Sequence, residues 1–462
     1  MNGNESLAVV ILAAGLGKRM KSGLPKVLHE ICGLPLIGYV LEASRELKAG
    51  ETTVVVGNGA DEVRAAAGEG PRFALQEEQK GTGHAVMVAL EEMGPSFTEV
   101  LVLPGDAPLV RTETLGMLIE ARRRGAVASL LSAELDEPAG YGRIIRGADG
   151  NVRAIVEEAD ATEEQRAITE VNSCTYVFDR TALEEGLKRL GNDNAQGEYY
   201  LTDVISAFAE KGLPVAAVGG GAEEVSGVND RIQLAATAAA MRKRINDSLM
   251  ERGVTLVDPA ATYVDYGVRV GAGTVLMPMV FLSGDTRIGE ACAVGPCTSI
   301  KDSTVDEGAQ VRFSVLDGCS IGKEADVGPF SRLRPGTVLG EGSKAGSFVE
   351  MKETTVGRGS KVPHLSYVGD TTIGEQANVG AGSITCNYDG EKKHRTTIGD
   401  RAFIGSDTML VAPVNVGNDA STGAGSVITE DVPDGSLAIE RTRQKNVPGW
   451  KGGGKGNRRA RE

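Results

Sequence analysis

From Val264 to Ile428 one aliphatic residue returns at intervals of six. Val264, Val270, Leu276, Leu282, Ile288, Val294 and Ile300 form an unbroken series, and Ile321, Val327, Leu333 and Leu339 form a second. Val356, Val362 and Val368 follow, then Ile373 and Val379, then Ile398, Ile404, Leu410, Val416 and, past the polar Thr422, Ile428. A helix repeats near 3.6 residues and a strand near 2, so neither produces this pattern.

A six-residue period held so long predicts a coil of short strands, the parallel β-helix of hexapeptide repeats, with each aliphatic side chain pointing into a narrow triangular core. Three hexads make one coil of roughly eighteen residues, so the pattern predicts about nine coils. Gly and Asn are expected at the corners, because glycine carries no Cβ penalty at positive φ. A β-sandwich with accidental spacing does not keep register across so many repeats. The one long excursion, Cys386 to Thr397, predicts a loop leaving the coil.

The first half follows another pattern. The buried-type run from Leu7 to Ala14 breaks at Gly15 and Gly17. Further strands are expected at Thr52 to Val56, Val100 to Leu103, Ala126 to Ser132 and Thr175 to Phe178, with helices such as Gly83 to Met93 and Thr112 to Arg123 between them. That alternation predicts a mostly parallel sheet covered by helices on both faces. Between the halves, Arg231 to Arg252 contains no Gly or Pro and places Ile232, Ala236, Ala239, Ile245 and Leu249 near helical spacing, which predicts a long helix acting as a strut. The resulting division is 1–229, a helical linker at 230–252, a coil domain at 253–441 and a partly disordered tail at 442–462.

Composition narrows the function. A net charge of −14 argues against nucleic acid as a partner, since phosphate backbones reward basic surfaces. The stretch from Lys451 to Glu462, with Lys455, Arg458, Arg459 and Arg461, is the locally basic part and reads as a solvated end. Six scattered cysteines without a CxxC pair, and four histidines, indicate neither a zinc site nor a disulfide framework. The run from Leu7 to Ala14 is too short to span a bilayer and follows an acidic segment, so neither a signal peptide nor a membrane contact is expected and the cytoplasm is the expected location.

Several residues break the bland pattern. The N–H groups of the turn Ala14-Gly15-Leu16-Gly17 suit an anion, and Arg19 and Lys26 add positive charge beside it. Asp106, just past the strand Val100 to Leu103, is placed either as a ligand for a hard cation bridging to phosphates or as a turn aspartate. In the coil, Arg334, Lys352 and a position near Asp370 fall about one coil apart and therefore stack. Two unpaired cations so placed repel unless they share an anion, and His364 on the following coil offers an imidazole base.

The motifs Leu12-Ala13-Ala14-Gly15-Leu16-Gly17-Lys18-Arg19-Met20, Leu24-Pro25-Lys26, Leu75-Gln76, Gly81-Thr82-Gly83-His84-Ala85 and Gly105-Asp106 resemble the sugar-1-phosphate nucleotidyltransferases. Gly140-Tyr141-Gly142-Arg143-Ile144, Ile155-Val156-Glu157, Val171-Asn172, Asn194 to Tyr200 and Gly227-Val228-Asn229 sharpen the likeness. Joined to hexapeptide repeats, nearly the whole chain is similar to the bacterial family of bifunctional N-acetylglucosamine-1-phosphate uridyltransferases / glucosamine-1-phosphate acetyltransferases. The resemblance implies an α/β Rossmann-like nucleotidyltransferase domain followed by a left-handed parallel β-helix. It also implies acetyl transfer from acetyl-CoA to glucosamine-1-phosphate, uridylyl transfer from UTP, synthesis of UDP-N-acetylglucosamine for the cell wall, and a homotrimer.

Carried over by position, Leu12, Ala13, Ala14, Gly15 and Lys26 contact nucleotide phosphates, and Gln76, Gly81 and Thr82 read uracil. Gly142, Glu157 and Asn172 hold the sugar, and Asp106 and Asn229 share Mg²⁺. In the coil, His364 is the general base. Arg334, Lys352 and Lys393 bind the phosphate of the amino sugar, Tyr367, Asn378 and Asn387 orient it, and Ala381, Asn387, Tyr388, Ser406, Ala424 and Arg441 lie along acetyl-CoA. The resemblance assigns no reaction step to His84, which is expected to pack or hydrogen-bond, nor to Cys386, expected to line the coil. Pro104 stands where some members carry Tyr. A nucleotidyltransferase whose coil only assembles subunits, or a scaffold with an idle catalytic half, are the rival readings.

Overall fold

The computed structural model of the protein describes residues 4–450; the basic stretch 451–462 lies outside them. Two compact units divide between Ile245 and Asn246.

The first unit is built on a sheet of order Val215–Gly219, Ala128–Glu134, Glu170–Asp179, Glu99–Pro104, Leu7–Leu12, Glu51–Val56 and Arg72–Leu75. Leu7 to Ile11 is buried without interruption because parallel neighbours flank it on both sides and helices cover both faces. Val9, Ile11, Val54 and Leu101 join one apolar cluster, while Ala8, Val10, Val55 and Val102 join the other. The predicted strands are all present, with boundaries shifted by up to five residues. Glu170–Asp179 is longer than its sequence signal and runs antiparallel to both neighbours. A bulge between Asn172 and Tyr176 puts Cys174 at φ 60°.

The helix Arg231–Glu251 forms as expected, but its buried stripe is different. Ile232 is 82% exposed and Ala236 and Ala239 are exposed as well. Within the first unit, Leu234, Ala238, Met241 and Ile245 pack with Met20, Leu36, Tyr39 and Val228. An alanine-rich helix has little contrast between its sides, so tertiary packing selects the face.

The second unit is a left-handed parallel β-helix whose three sheets hold eleven, ten and nine strands, making about ten coils where the hexads suggested nine. The additional coil begins at Thr255, ahead of the first hexad residue. The hexad aliphatics fill the core: Leu276, Val294, Ile300, Leu333, Val362 and Ile404 are fully buried. Ile300→Ala is therefore expected to cost ~2–5 kcal/mol, the range for emptying a packed site. Thr422 also faces inward and is satisfied by the Gly405 N–H at 2.9 Å.

The corner rule needs correction. Left-handed corners are held by Cys297, Phe313, Phe330, Phe348, Leu365, Asp370, Gln376 and Asp407 as well as by glycine, and no asparagine among the described residues adopts that conformation. Hydrogen bonds from coil to coil pin most of these corners, as Phe330 N to Phe313 O at 2.9 Å does, and so hold L-residues in the strained region.

Candidate active sites

In the first unit, three parallel strands deliver the predicted residues to their carboxyl ends, where such sheets bind ligands. Leu7–Leu12 leads into the glycine turn, Arg72–Leu75 into Gln76, and Glu99–Pro104 into Asp106. The ends surround a cavity of about 520 Å³ lined by Leu12, Ala13, Ala14, Gly15, Lys26, Gln76, Gly81, Thr82, Asp106 and Asn229, together with Lys18 and Arg19. The backbone N–H groups of Ala14, Gly15, Leu16 and Gly17 find no acceptor among the described residues, and so line the turn with free donors. Gly17 is required where it stands. Its φ is 57°, and a Cβ would lie 2.8 Å from that of Lys26.

Lys26 is the hub of the floor. Its Nζ is ion-paired with Asp106 and donates to Asn229 Oδ1 at 3.2 Å. Gly142, Glu157 and Asn172 do not line this cavity but form an adjoining cluster: Asn172 N donates to Gly142 O at 2.9 Å, and Gly142 approaches the Glu157 carboxylate. Burial pushes the Glu157 carboxyl above its ordinary range, an effect only partly offset by the hydroxyl of Thr202. Gln79, Cys174 and Glu198 also line the cavity, and no motif singled them out for a role. Cys174 gets there through its positive φ; burial pushes its thiol up to about 12, so it sits there uncharged.

In the second unit the predicted residues separate into a line and a cluster. His364 ends the first-sheet strand Lys361–His364 and pairs with Ser347 of the coil before. The same rung position is filled in the next coils by Ala381, Ser406 and Ala424. Gly382 N donates to His364 O at 3.4 Å, Asp407 N to Ala381 O at 2.7 Å, and Gly425 N to Ser406 O at 2.8 Å. Arg441 closes the line by donating to Ala424 O at 2.7 Å. The His364 ring is exposed, makes no hydrogen bond with the described residues, and borders a cavity of about 260 Å³ whose walls include Arg312, Lys344 and Pro363. Sequence reading missed Arg312 and Lys344, because only the fold brings those coils beside the ring.

The cluster forms where the second sheet turns into the third. Lys352 pairs in register with Gly369, one coil on. Arg334 precedes Lys352 by one coil but is not unpaired as expected: it donates to Glu350 Oε1 at 3.0 Å. The strand register places this carboxylate on the next rung, a pairing that sequence spacing alone does not disclose. The repelling pair is Lys352 with Lys393, carried in from the excursion loop, and Lys393 lowers the Lys352 ammonium below the usual lysine range, with Arg334 adding to the effect. Asn387 belongs here and not to the line above His364, since its amide donates to Asp370 and, like the Tyr367 hydroxyl, borders Gly369. Tyr388 is likewise off that line, with its hydroxyl donating to Gly390 O of its own loop at 2.5 Å. Asn378 stands on the first sheet between Lys361 and Phe403, the sheet that carries His364, and not at this corner.

Fold and sites together define a nucleotidyltransferase domain joined to a hexapeptide-repeat β-helix. Residues 9–174 match the family of MobA-like NTP transferase domains. A protein called bifunctional protein GlmU from Caldanaerobacter subterraneus subsp. tengcongensis is 50% identical over 447 residues, covering 96% of this chain and 98% of that relative. A bifunctional protein GlmU from Thermoanaerobacter pseudethanolicus is 49% identical over 447 residues (96% and 98%), and one from Heliobacterium modesticaldum is 50% identical over 438 (94% and 96%). The chain belongs to the bifunctional GlmU family. It is an enzyme with two activities, glucosamine-1-phosphate acetyltransferase and N-acetylglucosamine-1-phosphate uridylyltransferase, which together make UDP-N-acetylglucosamine.

Membership implies a divalent cation in the nucleotidyltransferase half. The residues fit one: a carboxylate and an amide oxygen, both hard donors, already converge on a positive charge, that of Lys26. No helix among the described residues is long and apolar enough to cross a membrane.

Proposed function

We propose how the residues divide the two reactions. In the β-helix, His364 accepts a proton from the amine of glucosamine-1-phosphate as nitrogen attacks the acetyl carbonyl carbon. The carbon–sulfur bond breaks, coenzyme A leaves as thiol or thiolate, and the amide product keeps its phosphate. Lys352, Lys393 and Arg334 hold that phosphate, with Tyr367 and Asn387 orienting the sugar beside them and Asn378 meeting it from the first sheet, which also carries His364. Acetyl-CoA lies along Ala381, Ser406, Ala424 and Arg441, with Tyr388 near it. The observation that carries this half is the single rung line that ends at a solvent-open imidazole.

In the first unit the product's phosphate oxygen attacks the α-phosphorus of UTP and pyrophosphate departs. The free N–H groups of the glycine turn and Lys26 align and neutralise the triphosphate, Gln76, Gly81 and Thr82 meet uracil, and Gly142, Glu157 and Asn172 meet the sugar. Asp106 and Asn229 would hold Mg²⁺, which supplies further neutralisation of the triphosphate when bound.

We also assign a homotrimer in the cytoplasm. The left-handed corners Phe313, Phe330, Phe348 and Leu365 form an exposed apolar seam, with Phe330 and Phe348 stacked at 5.3 Å, that a second copy would cover. Six free cysteines suit a reducing compartment. The division of labour is tested by crossed variants: His364→Ala abolishes coenzyme A release and spares pyrophosphate release from UTP, and Asp106→Ala does the reverse. Loss of both by either change refutes it.

A further inference from the structure

Gln76 is 97% buried, its relative exposure being 3%, and it stands at the end of strand Arg72–Leu75 in the wall of the nucleotide cavity. Its carboxamide has two close neighbours on one side, the carbonyl oxygen of Gly81 at 3.1 Å and Nδ1 of His84 at 3.0 Å. A backbone carbonyl only accepts, so the Gln76 atom facing it is the NH₂ group. The other hydrogen of that NH₂ then points at His84 Nδ1, which must offer a lone pair and carry its proton on Nε2. The carboxamide oxygen takes no hydrogen bond from the described residues and is left for the cavity. Turning the amide over would set its oxygen against the Gly81 carbonyl, an obligate acceptor, and so Gly81 fixes the amide's sense and thereby the His84 tautomer.

The spacing of these groups is fixed by the loop that carries them. Gly83 N donates to Tyr199 O at 2.8 Å, Tyr199 N to Lys80 O at 2.8 Å, and Leu201 N to Thr82 Oγ1 at 3.0 Å. Gly81 has φ 104°, and a Cβ on it would lie 2.6 Å from Tyr199 O, so the loop lies flush against that strand of chain. His84 is thus held in the first turn of helix Thr82–Glu92 with its lone pair aimed back at Gln76.

We infer that His84 is a positioning residue for base selection: by accepting from Gln76 it fixes the carboxamide oxygen toward the base, so the cavity selects a pyrimidine whose ring nitrogen bears hydrogen and rejects one whose ring nitrogen bears a lone pair. This rests on the reading that Gln76 meets the base. Uracil presents the donor and cytosine the lone pair, while UTP and CTP share ribose and triphosphate. A general loss of fold or phosphate binding therefore leaves their ratio unmoved.

The test is the ratio of kcat/KM for UTP over CTP with N-acetylglucosamine-1-phosphate as acceptor. His84→Phe keeps a ring but no lone pair, and the ratio falls about tenfold, the effect of one neutral hydrogen bond, with the loss larger in KM than in kcat. His84→Asn restores an acceptor near the Nδ1 position and recovers the ratio. An unchanged ratio in His84→Phe, or equal loss in His84→Asn, overturns the proposal. Should His84→Phe not fold, ¹⁵N shifts of the histidines in the unsubstituted protein decide it: the Nε2–H tautomer is expected at His84, and the Nδ1–H tautomer overturns it. Gln76→Ala separates the two readings, because a ratio that survives there refutes the contact between Gln76 and the base whatever His84 does.

Discussion

Ala381 stands one rung above His364, at the same position of the next coil, tied to it by the hydrogen bond from Gly382 N to His364 O. Ser406 and Ala424 continue that line, and all three side chains are small. A long thin donor laid on this line would have its reactive end at the imidazole. Ser406→Phe is expected to raise KM for acetyl-CoA about tenfold or more, as blocking one well-packed contact region does, and to leave uridylyl transfer alone. Steady-state assays of both reactions on one preparation check this.

Lys26 touches both oxygens assigned to the cation site and lines the cavity together with the glycine turn. Replacing it by Met removes a preorganised positive charge from the floor of the cavity. A loss of about 10²–10³ in kcat for pyrophosphate release is expected, with acetyl transfer unchanged.

Lys352 titrates early because Lys393 sits against it. Its positive charge is therefore lost at a lower pH than an ordinary lysine's, and KM for glucosamine-1-phosphate rises as the pH climbs through that value. In Lys393→Met the depressing neighbour is gone, so the pH-dependent rise moves to higher pH although KM is larger throughout. A pH profile of KM for the two proteins distinguishes this from simple loss of one charge.

Glu157 carries a raised folded-state pKa because burial disfavours its ionised form. The sign follows from linkage: its contribution to stability is complete below the unfolded carboxyl value and is lost as pH rises through the folded one. Glu157→Gln should accordingly raise Tm at pH 8 relative to the unsubstituted protein, with no gain at pH 4, while weakening sugar binding. Thermal melts at the two pH values, with KM for N-acetylglucosamine-1-phosphate, test both parts.

The seam Phe313, Phe330, Phe348 and Leu365 ends beside His364. Phe330→Glu places a charge in its middle and is expected to dissociate the assembly, read by light scattering. Acetyl transfer should fall with it and uridylyl transfer remain. A variant that keeps the wild-type mass would sink the seam as the trimer contact, and a monomer with full acetyl transfer would sink the dependence of that site on assembly.

Most of the architecture was legible in the residues. The six-residue period specified the coil, and the motif ends Gln76, Asp106 and Lys26 did converge on one cavity. The stripe of helix Arg231–Glu251 was misread because alanine contributes too little contrast for period alone to choose a side. Arg334 was misjudged as unpaired because Glu350 lies sixteen residues away, a separation meaningful only once coil length and register are known.

By itself the sequence determined what depends on local spacing: which side chains of the coil face inward, where strands end, and which residue types stand at those ends. Those properties follow from backbone geometry within a few residues. Only the tertiary structure decided which distant groups meet: Lys352 with Lys393, Arg334 with Glu350, Cys174 at its bulge, and the orientation of Gln76 beside His84. Such pairings depend on how coils and loops pack against one another, and a hydrogen bond or repulsion a few ångströms long is not encoded in the distance along the chain.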